Sequence, residues 1–222
     1  MNRALVIGNS DGIGLAFSRR LLAEGWAVTG VSRRDSGIEH SQYVHRTVDV
    51  TAADYPAAVD GVDIDLCVYA AGVGELLDLA DLAAQTRAMQ VNLIGAARTV
   101  EAIVPGMVAR GSGHLIGLSS LADVLISPDA PGYAASKAGL SAYLLGLVQP
   151  LRKHGVAVST VRFGFVDTKM AKAHSKPLMI TVADAVEVLM RCVRDRPAVV
   201  SYPRRASVGA RLVRAVTRAT LR

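Results

Sequence analysis

The run Ala4-Leu5-Val6-Ile7-Gly8-Asn9-Ser10-Asp11-Gly12-Ile13-Gly14-Leu15-Ala16-Phe17 decides the fold. Ala4 to Ile7 is a short apolar stretch halted by glycine, and from Ile13 to Ala23 the apolar residues recur at helical spacing. The order is strand, turn, helix. Between the two lies Gly8-x-x-x-Gly12-x-Gly14, a turn whose free backbone amides and helix dipole suit the pyrophosphate of a dinucleotide. The same glycines also make an ordinary tight turn, so its place between a strand and a helix is what gives the ligand reading weight.

Working outward, Ala27 to Val31, Tyr43 to Val50, Asp65 to Tyr69, His114 to Leu118 and Ala157 to Arg162 read as five further strands. Helical patterns fill Leu82 to Ala109, Tyr133 to Lys153 and Val182 to Arg194. Runs such as Leu5-Val6-Ile7 and Leu66-Cys67-Val68 are apolar without alternation, which implies burial on both faces, as in a parallel sheet covered by helices. The expected architecture is α/β: a single-domain, doubly wound parallel sheet of the Rossmann type, helices on both faces, over residues 1–200. Residues 201–222 read as a separate basic tail.

With 222 residues, 51% of them hydrophobic and 20% charged, the chain has enough apolar material for one full core and is not a disordered polymer. The net charge of +6 is local: residues 201–222 hold six arginines and no acid, leaving 19 basic against 19 acidic residues in the first 200. A balanced body lacks the basic face that nucleic-acid binding needs, so no nucleic-acid partner is expected. The N-terminal residues turn polar at Gly8, before a secretory apolar region is complete, and Cys67 and Cys192 form no paired motif. Free buried thiols and a cytoplasmic location are the expectation. His40, His45, His114, His154 and His174 show no metal-ligand spacing, so no metal site is expected.

The second strand ends in Val31-Ser32-Arg33-Arg34. A carboxylate at that point would hold the adenosine ribose of NAD(H), whereas an arginine offers a planar fork to the 2′-phosphate of NADP(H). Ser32, Arg33 and Arg34 therefore favour NADP(H) over NAD(H), although two arginines after a strand also suit a solvated turn. Asp49 and Val50 close the third strand, where a carboxylate can accept from the adenine amino group.

Tyr133 and Lys137 stand four residues apart on one helical pattern and so share a face. A neighbouring cation favours the phenolate form of a tyrosine and brings it toward working pH. Ser120, thirteen residues upstream at the end of the fifth strand, can reach the same crevice and polarise a carbonyl.

The glycine turn, Asp49, Asn92, Ser120, Tyr133 and Lys137, in this order, resemble the short-chain dehydrogenase/reductase family in its short single-domain form, from Ala4 to about Val193. The resemblance implies that Tyr133 gives its proton to a carbonyl oxygen or takes it from an alcohol, and that Ser120 orients that oxygen. It implies that Lys137 holds the nicotinamide ribose and lowers the tyrosine pKa, while Asn92 kinks its helix and holds a water of the proton relay. Ser10, Asp11 and Ile13 in the turn join Ala70, Ala71, Gly72, Gly164, Val166 and Thr168 as implied cofactor contacts, Thr168 at the nicotinamide carboxamide. A homodimer or homotetramer through the two long helices is the implied assembly.

Three positions depart from the family pattern. Tyr69-Ala70-Ala71-Gly72 stands where the family has Asn-Asn-Ala-Gly and so lacks an amide that ties neighbouring strands. Phe163-Gly164 replaces Pro-Gly, leaving the backbone beside the nicotinamide without a ring to fix it. Ile7 replaces a threonine before Gly8.

The segments that would flank a substrate, Leu121 to Ile126 and Met170 to Met179, are largely apolar, which points to an apolar ketone, aldehyde or alcohol. Lys172 and Lys176 offer an acidic group an alternative, and His174 falls where relatives lid the substrate. In the tail, Arg211, Arg214, Arg218 and Arg222 line one helical stripe and Val208, Leu212, Ala215, Val216 and Ala219 another. Such a basic amphipathic helix can pack on the enzyme or touch an anionic membrane weakly. Two functions fit the whole: an NADP(H)-dependent oxidoreductase, or a cofactor-binding regulatory or scaffolding protein of the same fold without turnover.

Overall fold

The computed structural model describes residues 2–61, 63–170 and 176–205. Its strands are β1 (Arg3–Ile7), β2 (Ala27–Ser32), β3 (Tyr43–Thr47), β4 (Leu66–Tyr69), β5 (Gly113–Ser120), β6 (Val156–Phe163) and β7 (Val199–Tyr202). They form one parallel sheet in the order β3-β2-β1-β4-β5-β6-β7. The helices are α1 (Gly12–Ala23), α2 (Tyr55–Val59), α3 (Ala83–Met89), α4 (Gly95–Arg110), α5 (Pro131–Arg152) and α6 (Val182–Asp195).

Alternation along each strand sends its side chains to two separate cores. Leu5 and Ile7 of β1 pack with Val100 and Ile103 of α4 and Leu140 and Leu144 of α5. Ala4 and Val6 pack on the opposite face with Phe17 and Leu21 of α1 and Val186 and Leu189 of α6. Because both faces are covered, the central strands can be apolar throughout, which is the doubly wound arrangement expected. β1 pairs with β2 on one side and β4 on the other, so strand order reverses there and a crevice opens at the carboxyl ends.

β7 is an addition to the six expected strands. Val199 is exposed and its neighbours half-buried, so the strand lacks the apolar run that marked the others. The boundary drawn after residue 200 falls inside it. β3 stops at Thr47, so Asp49 and Val50 lie in the following loop rather than closing the strand. The long helix expected from Leu82 to Ala109 is interrupted by a π-turn at Gln90–Ile94, and α2 is new. By length and composition residues 83–110 could cross a membrane, but Ala96, Val100, Ile103 and Met107 bury one face in the core. Cys67 and Cys192 are free and buried. The tail helix, Lys172 and His174 lie outside the described residues.

Candidate active site

One cleft of about 1460 Å³ runs across the carboxyl ends of the strands. The glycine turn (Gly8, Ser10, Asp11, Gly12, Ile13 and Gly14), Ser32, Arg33 and Arg34, and Asp49 and Val50 line one end. Ala70, Ala71 and Gly72 line the middle, and Ser120, Tyr133, Lys137, Gly164, Val166 and Thr168 the other end. Of the expected site residues, Asn92 stands behind the wall, fully buried.

The glycine turn is shaped by close approach. Gly8 has φ +87°, in the left-handed region, and a Cβ there would drive into the Ala71 backbone. That cradle, at the start of α1 and lining the cleft, fits a dinucleotide pyrophosphate. Asp11 caps α1, its Oδ1 accepting from Gly12 N at 2.8 Å, and its Oδ2 meets Lys169 Nζ at 2.9 Å across the cleft. Lys169 and the Gly12 amide hold this carboxyl below its usual range. At Asp49, burial pushes the carboxyl up, but the Thr51 amide and hydroxyl and the charges of Arg33 and Arg87 outweigh it and bring it below the ordinary value. Its Oδ1 is engaged locally by Thr51, at 2.9 Å from N and 2.8 Å from Oγ1.

Ser120 is the last residue of β5 and caps a 3-10 turn at Leu121–Val124 by accepting from Ala122 N at 3.1 Å. The Tyr133 phenol stands near it, in the first turn of α5. Burial raises that phenol above its ordinary value, with the Ser120 hydroxyl the opposing influence. Lys137 follows on the same face, 5% exposed, with Nζ donating to Leu118 O at 2.8 Å and lying 5.8 Å from the Tyr133 ring centroid. Burial pushes the ammonium down to about 8. The lysine is turned to a β5 carbonyl, and burial is the larger influence on the phenol.

Asn92 sits in the π-turn, the helix irregularity expected of it. Its Oδ1 accepts from Val73 N at 2.8 Å, and its Nδ2 donates to Val73 O and to Ser136 Oγ, each at 2.9 Å. Ser136 Oγ donates in turn to Tyr133 O at 2.7 Å. Tyr69 adds a second tie, its hydroxyl donating to Val91 O. Ser136 and Tyr69 were not singled out in the sequence, because their partners lie far away in the chain.

A buried ion pair supports the Ser120 loop from below. Asp123 accepts from Arg162 Nη2 of β6 at 2.5 Å and from Ser141 Oγ of α5 at 2.6 Å. Ser141 contacts Ser119, whose hydroxyl donates to Lys137 O at 3.1 Å. The side chains of Asp123 and Arg162 are 3% and 12% exposed. An arginine inside an apolar strand pattern is the sequence signal for such a pair. Phe163, replacing the family proline, is paired to Ser120 of β5 on one side and Tyr202 of β7 on the other. The backbone there is therefore fixed by two strands rather than by a ring.

Comparisons with known proteins agree with this fold. A profile of the family described as short chain dehydrogenase matches residues 2–178. An uncharacterized oxidoreductase of Myxococcus xanthus is 33% identical over 95% of this chain and 91% of its own. A very-long-chain 3-oxoacyl-CoA reductase of Anas platyrhynchos is 29% identical, covering 78% of this chain and 62% of its own length. A crystal structure of a short-chain dehydrogenase from Burkholderia cenocepacia in complex with NADP superposes with a TM-score of 0.87 at 25% identity, covering 99% of this chain and 95% of that one.

Two outcomes follow for stability. Arg162→Met leaves the Asp123 carboxylate buried without its cation and should cost about 3–5 kcal/mol in urea unfolding; a loss under about 1 kcal/mol would show that the pair is not buried in solution. Lys137 has its pKa depressed from 10.5 to about 8, so its buried charge burdens the native state below pH 8 and is relieved as pH rises toward 10.5. The melting temperature of Lys137→Met should therefore fall relative to wild type between those pH values, and a constant difference would refute the depressed lysine.

Proposed function

This chain belongs to the short-chain dehydrogenase/reductase family, and from that premise we propose that it is an NADP(H)-dependent oxidoreductase interconverting a carbonyl and an alcohol on an apolar substrate. The observation that carries the proposal is that Ser120, at the end of β5, and Tyr133 and Lys137, one turn apart on α5, line the same cleft.

In the reductive direction Tyr133 donates its proton to the carbonyl oxygen, a role suited to a phenol that burial keeps protonated. Ser120 Oγ, at the cleft end of β5, donates to the same oxygen and fixes its position. Lys137, held between β5 and α5, would bond the nicotinamide ribose. Asn92 holds Val73 and Ser136 and thereby the relative position of the cleft wall and α5. The nicotinamide, when bound, supplies or accepts the hydride.

The preference for NADP(H) is supported by the end of β2, where Ser32 is buried and Arg33 and Arg34 are exposed on the rim of the cleft. The relative crystallised with NADP is consistent with it. The apolar substrate is supported by Leu121, Leu125, Phe163, Met170 and Leu178 along the cleft wall and by the relatives that reduce very-long-chain 3-oxoacyl-CoA. Exposed Met89, Ile94 and Leu145, along the stretch from α3 to α5, support assembly into a homodimer or homotetramer.

Tyr133→Phe should lower turnover about 10²–10⁴-fold while leaving NADPH affinity within about twofold. The assay is NADPH oxidation over a series of ketones and 3-oxoacyl thioesters of rising chain length. Faster turnover of short charged carbonyls than of long aliphatic ones would sink the substrate class. Replacing Arg33 and Arg34 together by serine should reduce the preference for NADPH over NADH by about tenfold or more, read by fluorescence titration.

A further inference from the structure

Beneath Arg33 and Arg34 lies a polar cluster that the carbonyl chemistry does not use. Tyr43 opens β3, and its hydroxyl meets Asn9 Nδ2, Ser36 Oγ and His45 Nδ1, each at 2.7 Å. His45 Nε2 stands 3.4 Å from Ser32 Oγ, and Ser32 Oγ donates to Arg34 O at 2.7 Å. Asn9, Ser32 and Ser36 are buried, and Tyr43 and His45 are half-buried.

Counting protons gives this cluster a direction. A carbonyl oxygen only accepts, so the Ser32 proton goes to Arg34 O. With Ser32 Oγ accepting from His45 Nε2–H, Nδ1 in that tautomer accepts the Tyr43 O–H. With its one proton committed, the Tyr43 oxygen accepts from the Asn9 amide and from the Ser36 hydroxyl. The chain of bonds thus runs from Asn9, beside the glycine turn, to the main chain of Arg34. In a buried setting such linked bonds fix geometry more firmly than the same groups would in water.

Gly30 of β2 makes room for the cluster. A Cβ at that position would fall on the Asn9 amide and the Tyr43 hydroxyl. β2 ends at Ser32, so the next residues have no ladder to hold them, and Arg33 and Arg34 project from a turn whose shape is set by Ser32 and Ser36.

We propose that Tyr43, with His45, is a positioning residue for cofactor selection: it fixes the turn at residues 32–36 so that Arg33 and Arg34 converge on a 2′-phosphate. This rests on the NADP(H) reading above. Flexible arginines on an unanchored turn would lose side-chain and backbone entropy on binding, and the anchored turn has already lost the backbone share. A disturbance of the turn therefore weakens the ligand that carries the 2′-phosphate and spares the one that lacks it.

The test is fluorescence titration of NADPH and NADH into the full chain, with adenosine 2′,5′-bisphosphate and adenosine 5′-monophosphate as competitors. Tyr43→Phe keeps the ring and removes the hydroxyl, and Ser36→Ala breaks the same turn from its other side. Each should raise the dissociation constant for NADPH and for the bisphosphate about five- to tenfold, with NADH and the monophosphate within about twofold. A merely structural role would shift all four ligands together, and that result, or no shift in any, overturns the proposal. The variant carrying serine at both 33 and 34 separates the two levels. If it loses NADPH preference while Tyr43→Phe and Ser36→Ala keep it, the positioning role alone falls. If it keeps the preference, the NADP(H) reading falls and the positioning role with it.

Discussion

Asn92 Oδ1 accepts from Val73 N, and its two amide protons go to Val73 O and Ser136 Oγ, so a fully buried amide has a partner for each proton and for its oxygen. A buried amide without partners costs several kcal/mol, and main-chain groups just past the end of a strand face the same cost. Each side therefore satisfies the other. The π-turn at Gln90–Ile94 carries Asn92 to the sheet, and the Tyr69 hydroxyl bonds Val91 O within that turn. Three pieces of chain distant in sequence are fixed relative to one another: the loop after β4, the α3-to-α4 junction and, through Ser136 and Tyr133 O, the start of α5. That junction ties together Val73 and Tyr133, which border the cleft.

The same helix is held from its other side by the buried chain Arg162, Asp123, Ser141 and Ser119, which ends on Lys137 O. α5 is thus gripped by polar bonds on two faces just where it carries Tyr133 and Lys137. Apolar packing of Leu140 and Leu144 alone would secure the helix but would tolerate small slides and rotations. Directional bonds do not. Their cost is visible in Lys137, whose ammonium burial pushes down to about 8 although Leu118 O accepts from it. Groups that lower native stability while fixing the geometry of a cleft are what a functional site is expected to retain.

What could be read from the sequence was local. The glycine turn, the apolar strands and the four-residue spacing of Tyr133 and Lys137 each report a relation between near neighbours, and the sheet and the cleft follow from them. The family resemblance added Asn92, whose role no spacing reveals. The partners of Asn92 and of Asp123 lie between 18 and 44 positions away, and the Tyr43 cluster reaches back 34 positions to Asn9, so no periodicity encodes these links. β7 escaped notice for another reason. It lies at the edge of the sheet, where half-exposure removes the apolar run that identifies a central strand.

The three departures from the family pattern show how such distant contacts change the meaning of a substitution. Ala70 lacks the amide that joins strands, but its N–H donates to Ile7 O at 2.8 Å, while Tyr69 and Asn92 join the β4 end to the π-turn. Phe163 lacks the proline ring, yet it is paired to strands on both sides, and the Gly164 N–H, next along, donates to Tyr202 O at 2.9 Å. Ile7 brings no hydroxyl, and its side chain is instead fully buried in the core against Val31 and Tyr69. At the first two a side-chain function has moved to backbone pairing or to a neighbour, and at Ile7 core packing stands in the hydroxyl's place. The constraint on the cleft is a property of the network, so a motif residue can change while the geometry it served persists, provided that the bonds around it close.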